Sequence, residues 1–165
     1  MPPPLLSALL VLALLSGCSG GGSSAGGGNP PVSTCQDPIP TTVAAAKFST
    51  GLLPILQVTC GSATSTCHGA VTVPNGHFSF ATSATRTAQD VYNDLVNVVP
   101  SNAPTGQGWM RVKPSDSTKS WIVEKVSSDQ PGGLGYGARM PLQGQNLCQA
   151  SIDNLKAWIQ NGAPF

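Results

Sequence analysis

The sequence predicts an all-α domain with long irregular loops, placed behind an N-terminal segment that has no fold of its own. Apolar residues recur at spacings of three and four in four separate stretches, which is the period of an amphipathic helix. Strand-like alternation is weak and confined to Gly76 to Phe80, so nothing argues for a sheet core. No internal repeat is visible in the sequence.

Residues Met1 to Gly17 have the pattern of a signal peptide. The apolar run from Leu5 to Leu15 is too short for a permanent membrane helix, which needs about 20 apolar residues. Its end, Leu15-Ser16-Gly17-Cys18, resembles a bacterial lipobox. The resemblance implies cleavage before Cys18 and lipidation of its thiol, in an exported protein anchored in the cell envelope, facing the periplasm or in the outer membrane. An ordinary signal peptide followed by an unrelated Cys is the alternative.

Residues 18–34 are predicted to form a lipidated, flexible tether. The sequence SGGGSSAGGGNPPVST after Cys18 has no apolar face to bury. Sixteen residues of this composition have a root-mean-square reach of about 20 Å. The globular domain is therefore expected from Cys35 to Phe165.

The first two helices are predicted in the N-terminal half of this domain. The first runs from about Phe48 to Val58, with Pro54 in its first turn. The second runs from about Ala84 to Asn97 and ends before Pro100, because the residue before a proline disfavours the helical conformation. Their apolar faces comprise Leu52, Leu53, Ile55 and Leu56 in the first helix and Val91, Leu95 and Val98 in the second.

Two more helices are predicted in the C-terminal half. The third begins at Ser115 or Asp116, since either side chain can accept hydrogen bonds from first-turn amides, and it continues through Lys125. The last runs from Gln149 to Asn161 and stops at Gly162. The residues expected in the core are Trp121 and Ile122 in the third helix and Ile152, Leu155, Trp158 and Ile159 in the last.

Charge and motifs exclude several functions. A formal net charge of +1, with 9% charged residues and no basic stripe, gives no case for nucleic acid or anionic lipid as partner. The sequence has no phosphate-binding loop, no dinucleotide fingerprint and no nucleophile pattern around either His. The acidic residues read as helix caps or solvated helix faces: Asp90, Asp94, Asp116 and Asp153.

The five cysteines are the most informative residues by type. If Cys18 carries lipid, four remain, and the oxidising compartment of an exported protein requires that they pair or be capped. Four cysteines allow three disulfide connectivities, provided that no cofactor consumes any of them.

The segment Cys60-Gly-Ser-Ala-Thr-Ser-Thr-Cys67-His68-Gly69 has the order of a c-type haem attachment site. Two thiols add across the porphyrin vinyl groups, and the residue after the second Cys supplies an imidazole to the iron. The usual spacing has two residues between the cysteines, whereas this segment has six. The alternatives are a disulfide between Cys60 and Cys67, with His68 an exposed loop residue, and a zinc site formed by these residues and Cys148.

A second axial ligand for the iron has three candidates. Met140 lies in the segment Gly137-Ala138-Arg139-Met140-Pro141, although Met also commonly fills gaps in a core. His77 is the second candidate, since bis-imidazole ligation occurs in c-type haem proteins. Met110 is the third, but its neighbours Trp109 and Arg111 favour a packing role.

Taken in order, these segments resemble the cytochrome-c-like domains of bacterial lipoproteins and planctomycete-type cytochromes. In those domains an apolar helix leads into the Cys…Cys-His element, a V-x-P-x-D-x-x-x-S stretch opens a helix, an R-M-P turn presents Met, and a final helix ends in W-I-x-x-G-A. The resemblance runs from Gly51 to Pro164, about two-thirds of the chain. The matching segments are Val112-Lys113-Pro114-Ser115-Asp116 with Ser120, Arg139-Met140-Pro141, and Trp158-Ile159-Gln160-Asn161-Gly162-Ala163.

The resemblance implies a role for each site residue. Cys60 and Cys67 form the thioethers to a single haem c, His68 is the proximal ligand, and Met140 is the distal ligand through its sulfur. Arg139 is expected near a haem propionate. Cys35 and Cys148 are then left to form a disulfide with each other.

The function implied is one-electron transfer in the bacterial cell envelope. The protein is expected to be a monomeric carrier rather than an enzyme, with envelope redox proteins as partners and with a membrane contact through its lipid. The indoles of Trp121 and Trp158 are candidates for contact with the haem edge. The alternatives are a haem-free lipoprotein domain held by disulfides, with a binding or structural role, and a gas-binding haem domain in which Met140 does not ligate the iron.

Overall fold

Helices provide the regular structure of this domain. The computed structural model describes residues 35–61, 68–70, 78–142 and 145–165, all of which belong to one compact unit. Within these ranges, extended segments pair only through isolated bridges, and no strand forms. The described residues are thus helix-rich, in agreement with the predicted all-α class. The predicted signal peptide and tether, which include Cys18, lie outside the described residues, as do Cys67 and His77.

The four α-helices fall in the four predicted stretches. They are α1 (Leu53–Thr59), α2 (Ala88–Leu95), α3 (Trp121–Ser127) and α4 (Gln149–Gln160). A π-helical turn precedes α1 directly, and short 3-10 turns lie near the start of the domain and before α3. These three turns span Phe48–Leu52, Thr41–Ala45 and Ser117–Lys119. None of the helices in the described ranges is long and apolar enough to cross a membrane.

Side-chain caps explain where two helices differ from their predicted bounds. The second helix begins at Ala88 rather than Ala84, because Thr87 and Asp90 form a reciprocal capping box: each side chain accepts a hydrogen bond from the other residue's backbone N–H. Asp116 caps as expected, but it caps the 3-10 turn, whose Lys119 backbone N–H donates to its carboxylate at 3.2 Å. Helix α3 therefore starts later, at Trp121.

Helix α4 lies against the N-terminal segment at the centre of the core. Its Trp158 is fully buried and packs on Phe48, with ring centroids 5.9 Å apart. Polar side chains of α4 also bind the backbone of that segment: the Ile39 N–H donates to Ser151 Oγ at 3.0 Å, and Asn154 Nδ2 donates to the Ile39 carbonyl at 2.7 Å. The apolar face predicted for α4 is thus the buried one.

Cys35 and Cys148 form a disulfide, as the resemblance implied. Their Cα atoms are 5.0 Å apart, and the bond joins positions separated by 113 residues. In the chain-entropy model, closing a loop of this length stabilises the fold by about 4–5 kcal/mol. Because Cys148 is bonded to Cys35, it is not available for the alternative zinc site.

Candidate functional site

A cavity of about 810 Å³ lies between α1, α3 and the loop that carries Met140. Its volume is within the range of about 300–1,000 Å³ typical of small-molecule and cofactor sites. Most of its wall is apolar. The apolar lining includes Ile39, Ile55, Leu56, Val58, Phe78, Phe80, Leu95, Trp121, Ile122, Val126, Pro141, Leu142, Leu147 and Leu155.

The cavity brings together three of the predicted haem-binding residues, Cys60, His68 and Met140, from separate parts of the chain. Cys60 is the C-cap of α1, and its backbone N–H donates to the Leu56 carbonyl at 2.8 Å. The apolar helix thus ends with Cys60 at the cavity wall. The second predicted thioether residue, Cys67, precedes His68 directly but lies outside the described residues.

The His68 imidazole is held by a hydrogen bond that fixes its tautomer. Its Nδ1 is 2.5 Å from the Phe78 carbonyl oxygen. A carbonyl can only accept, so Nδ1 carries a proton, and in the neutral ring Nε2 has the lone pair that can bind a metal. Metal-binding histidines commonly donate their second ring N–H in this way, which orients the ring and raises its basicity.

The backbone around His68 is also held by hydrogen bonds. Its N–H donates to the Cys60 carbonyl at 3.1 Å, and the Phe80 N–H donates to the His68 carbonyl at 2.7 Å. Gln57 of α1 also donates from Nε2 to the Phe80 carbonyl at 3.0 Å. Residues 78–80 therefore join α1 to the turn that carries His68.

Two phenylalanines that the sequence analysis did not assign to the site form an aromatic wall beside His68. The rings of Phe78 and Phe80 meet edge to face, with centroids 4.7 Å apart, and the His68 ring centroid is 5.8 Å from that of Phe80. Their alternation was the one weak strand signal in the sequence. Period-two spacing directs both side chains to the same side of an extended segment, and here that side is the cavity.

Met140 is positioned by the end of α3. Its backbone N–H donates to the Lys125 carbonyl at 2.7 Å, and the preceding Arg139 donates from Nε to the Val126 carbonyl at 3.0 Å. The side chain of Met140 is half-buried and lines the cavity. The rival Met110 is not among the lining residues, and the other rival, His77, lies outside the described residues.

The structure places Arg139 away from the cavity lining. Its guanidinium forms an ion pair with Asp129 at 3.1 Å. The predicted contact of Arg139 with a propionate stays a prediction. The basic side chains that line the cavity are instead Arg111 and Lys125, which the sequence analysis did not assign to the site.

The two tryptophans expected at the haem edge, Trp121 and Trp158, lie in different parts of the structure. Trp121 lines the cavity and is 7% exposed, with the Trp109 ring centroid 5.3 Å away. Trp158 is buried in the core beside Phe48 and is not part of the lining. Trp121 is therefore the indole that can contact a molecule in the cavity.

The ligand set suits a metal that is held mainly by a macrocycle. Among the described residues, no three His, Cys, Asp or Glu side chains group closely enough to hold a metal ion together. One imidazole and one thioether are, however, the two side-chain ligands that a haem iron takes in cytochromes. Comparison of the chain with protein-family models, curated proteins and solved structures found no match.

Proposed function

We propose that this protein is a one-electron carrier that binds a single covalent c-type haem in the cavity. The observation that carries the proposal is that Cys60, His68 and Met140 line one apolar cavity of about 810 Å³. The residues fit the group by type as well as by place, because a cysteine, a histidine and a methionine are the residue types that a haem c of this kind requires.

Each side chain has a distinct task in this function. Cys60 and Cys67 would hold the porphyrin as thioethers, His68 would ligate the iron through Nε2, and Met140 would ligate it through its sulfur. The bound haem supplies a reversible one-electron couple. A thioether ligand would raise the reduction potential of the haem iron, and the hydrogen bond from His68 Nδ1–H to the Phe78 carbonyl would hold the imidazole ring in place.

The arrangement favours a carrier over an enzyme. With His68 and Met140 both ligating, no position is left at the iron for a substrate. Val58 and Leu142 line the cavity and are 82% and 61% exposed, so the cavity reaches the surface beside them. Electrons could pass to a partner through a haem edge exposed at this opening. No chemical bond would have to form or break.

The cellular setting belongs to the same proposal. Lipid on Cys18 anchors the protein in the cell envelope, and the tether lets the domain move between redox partners near the membrane. A soluble variant that lacks residues 18–34 should transfer electrons more slowly to partners in native membranes. An unchanged rate would contradict the role of the tether.

Visible spectroscopy of the exported protein tests the haem directly. The haem should stay with the protein after acid-acetone extraction, because it is bound by thioethers. Its reduced pyridine derivative should then show c-type bands. Carbon monoxide should not bind the reduced protein, since Met140 fills the second axial position. A colourless protein in which Cys60 and Cys67 form a disulfide would overturn the proposal and leave a haem-free lipoprotein domain.

A further inference from the structure

Part of the cavity wall carries polar side chains that can donate hydrogen bonds. The described lining includes no Asp or Glu, whereas Arg111 and Lys125 contribute two positive charges and Ser101 and Asn102 contribute neutral polar groups. Elsewhere the wall is mainly apolar. The cavity therefore suits a ligand with a large apolar body that also carries negatively charged groups.

Arg111 and Lys125 stand on the same wall. The Ile122 N–H donates to the Arg111 carbonyl at 3.0 Å, and Ile122 and Lys125 lie three positions apart on α3, which places them on one face of that helix. A Cβ atom added to Gly137 would lie 3.2 Å from Lys125 Nζ and 3.9 Å from Asn102 Nδ2. The ammonium and the amide thus flank the same point.

Both cations donate hydrogen bonds to backbone carbonyls. Arg111 Nη1 donates to the backbone carbonyl of Asp94 at 2.7 Å, and its guanidinium carbon lies 5.4 Å from the centroid of the Phe78 ring. Lys125 Nζ donates to the carbonyls of Ala138 at 2.8 Å and Tyr136 at 3.3 Å.

Four other basic residues of the chain form ion pairs. Those are Arg86, Lys113, Arg139 and Lys156. Arg111 and Lys125 are both half-buried, so their charges are incompletely solvated by water. A carboxylate of a ligand in the cavity would offer each of them an opposite charge.

We infer that Arg111 and Lys125 bind the two propionate carboxylates of the haem, a role that the sequence analysis expected of Arg139. The inference rests on the proposed function, which supplies the ligand. The guanidinium can hold one carboxylate by two parallel hydrogen bonds, and the ammonium can pair with the other as a point charge.

The test compares the haem-loaded exported protein with Arg111→Gln and Lys125→Gln, and uses the exposed Lys47→Gln as a charge-matched control. The reduction potential of each is measured spectroelectrochemically from about pH 5 to about pH 8, above the ordinary range of carboxyl pKa values. The reduction potential of the wild type should not change with pH, because propionates paired with these cations stay ionised. Each cavity variant should have a lower potential and a new pH-dependent step, while Lys47→Gln should match the wild type.

Arg111→Lys gives a second route to the same question. It keeps the charge and loses the two-point contact, so the propionate bending band in resonance Raman spectra should shift although the potential changes little. That band is readable even if Arg111→Gln accumulates poorly. Haem-loaded variants with the wild-type pH profile and the wild-type propionate band would overturn this inference alone. A wild-type protein without haem would overturn the proposed function and this inference with it.

Discussion

Two regions of this domain use their apolar residues differently, although Leu155 of α4 contributes to both. Around α4 the side chains fill space: Phe48, Trp158 and Ile159 are fully buried, and the N-terminal segment is joined to the helix by hydrogen bonds and a disulfide. Between α1 and α3 the apolar side chains instead form walls around about 810 Å³. Protein interiors normally keep few voids larger than a water molecule.

The difference indicates a division of tasks. The region around α4 can be stable through contacts among its own atoms, whereas the walls of the cavity gain full contact only with a bound ligand. We therefore expect changes in the cavity to act mainly on the cofactor and changes around α4 to act mainly on stability. Four variants test that separation.

Replacing His68 should have the largest effect. His68→Ala removes the imidazole next to Cys67, so the haem content per protein, measured by the pyridine method, should fall at least about tenfold. The chain offers a matched control, because it has only one other His. His77→Ala should keep the wild-type spectrum and haem content. Equal haem content in both variants would contradict the ligand assignment.

Removing the disulfide should act mainly on stability. Replacing Cys35 and Cys148 together with Ser should lower the free energy of unfolding by about 4–5 kcal/mol, since the loop closed by the bond is long. The haem spectrum at low denaturant should not change, because neither Cys lines the cavity. Denaturant titration of the two proteins gives both readings. A spectrum altered before unfolding would show that the two regions are coupled.

Replacing Met140 should alter the iron without releasing the haem. Met140→Ala should retain thioether-bound haem, bind carbon monoxide when reduced, and have a lower reduction potential. The oxidised-to-reduced equilibrium should change at least tenfold, about 1.4 kcal/mol. Met110→Ala is the control, because Met110 is not among the lining residues. If Met110→Ala rather than Met140→Ala opens the iron to carbon monoxide, the distal ligand is misassigned.

Asp116 should give the smallest effect, visible only in acid. Hydrogen bonds from Thr118 and Lys113, with further contributions from the Lys113 charge and the Lys119 backbone N–H, lower its pKa from 3.8 to about 2. A lowered folded pKa stabilises the fold above the unfolded value, and this contribution is lost as the pH falls from about 4 to about 2. Thermal midpoints of Asp116→Asn should depend less on pH in that window than those of the wild type. Identical slopes would exclude this role for Asp116.

Local patterns predicted much of this structure. Helix α4 lies within a residue of its predicted bounds, because its apolar period is regular and Gly162 ends it. The order of Cys60, His68 and Met140 along the resemblance also predicted that they share one site. The start of α2 at Ala88, rather than near Ala84, could also have been predicted, since Thr87 and Asp90 have the spacing of a capping box.

The positions of the Arg111 and Arg139 side chains depend on contacts between residues that are distant in the sequence. Arg111 reaches the cavity wall because its backbone pairs with Ile122 at the start of α3, and no short motif marks that pairing. Arg139 adjoins Met140 in sequence, yet its side chain turns to Asp129 and the end of α3. The order of segments along the chain therefore predicted that Cys60, His68 and Met140 line one cavity, but not which charged side chains lie beside them.

Peptide mass mapping of the exported protein tests the central claim most directly. The peptide that contains Cys60, Cys67 and His68 should carry the mass of one haem, with both sulfurs modified, and Cys35 should be joined to Cys148. The result that would contradict the account is the same peptide at the mass of its amino acids alone, with Cys60 joined to Cys67.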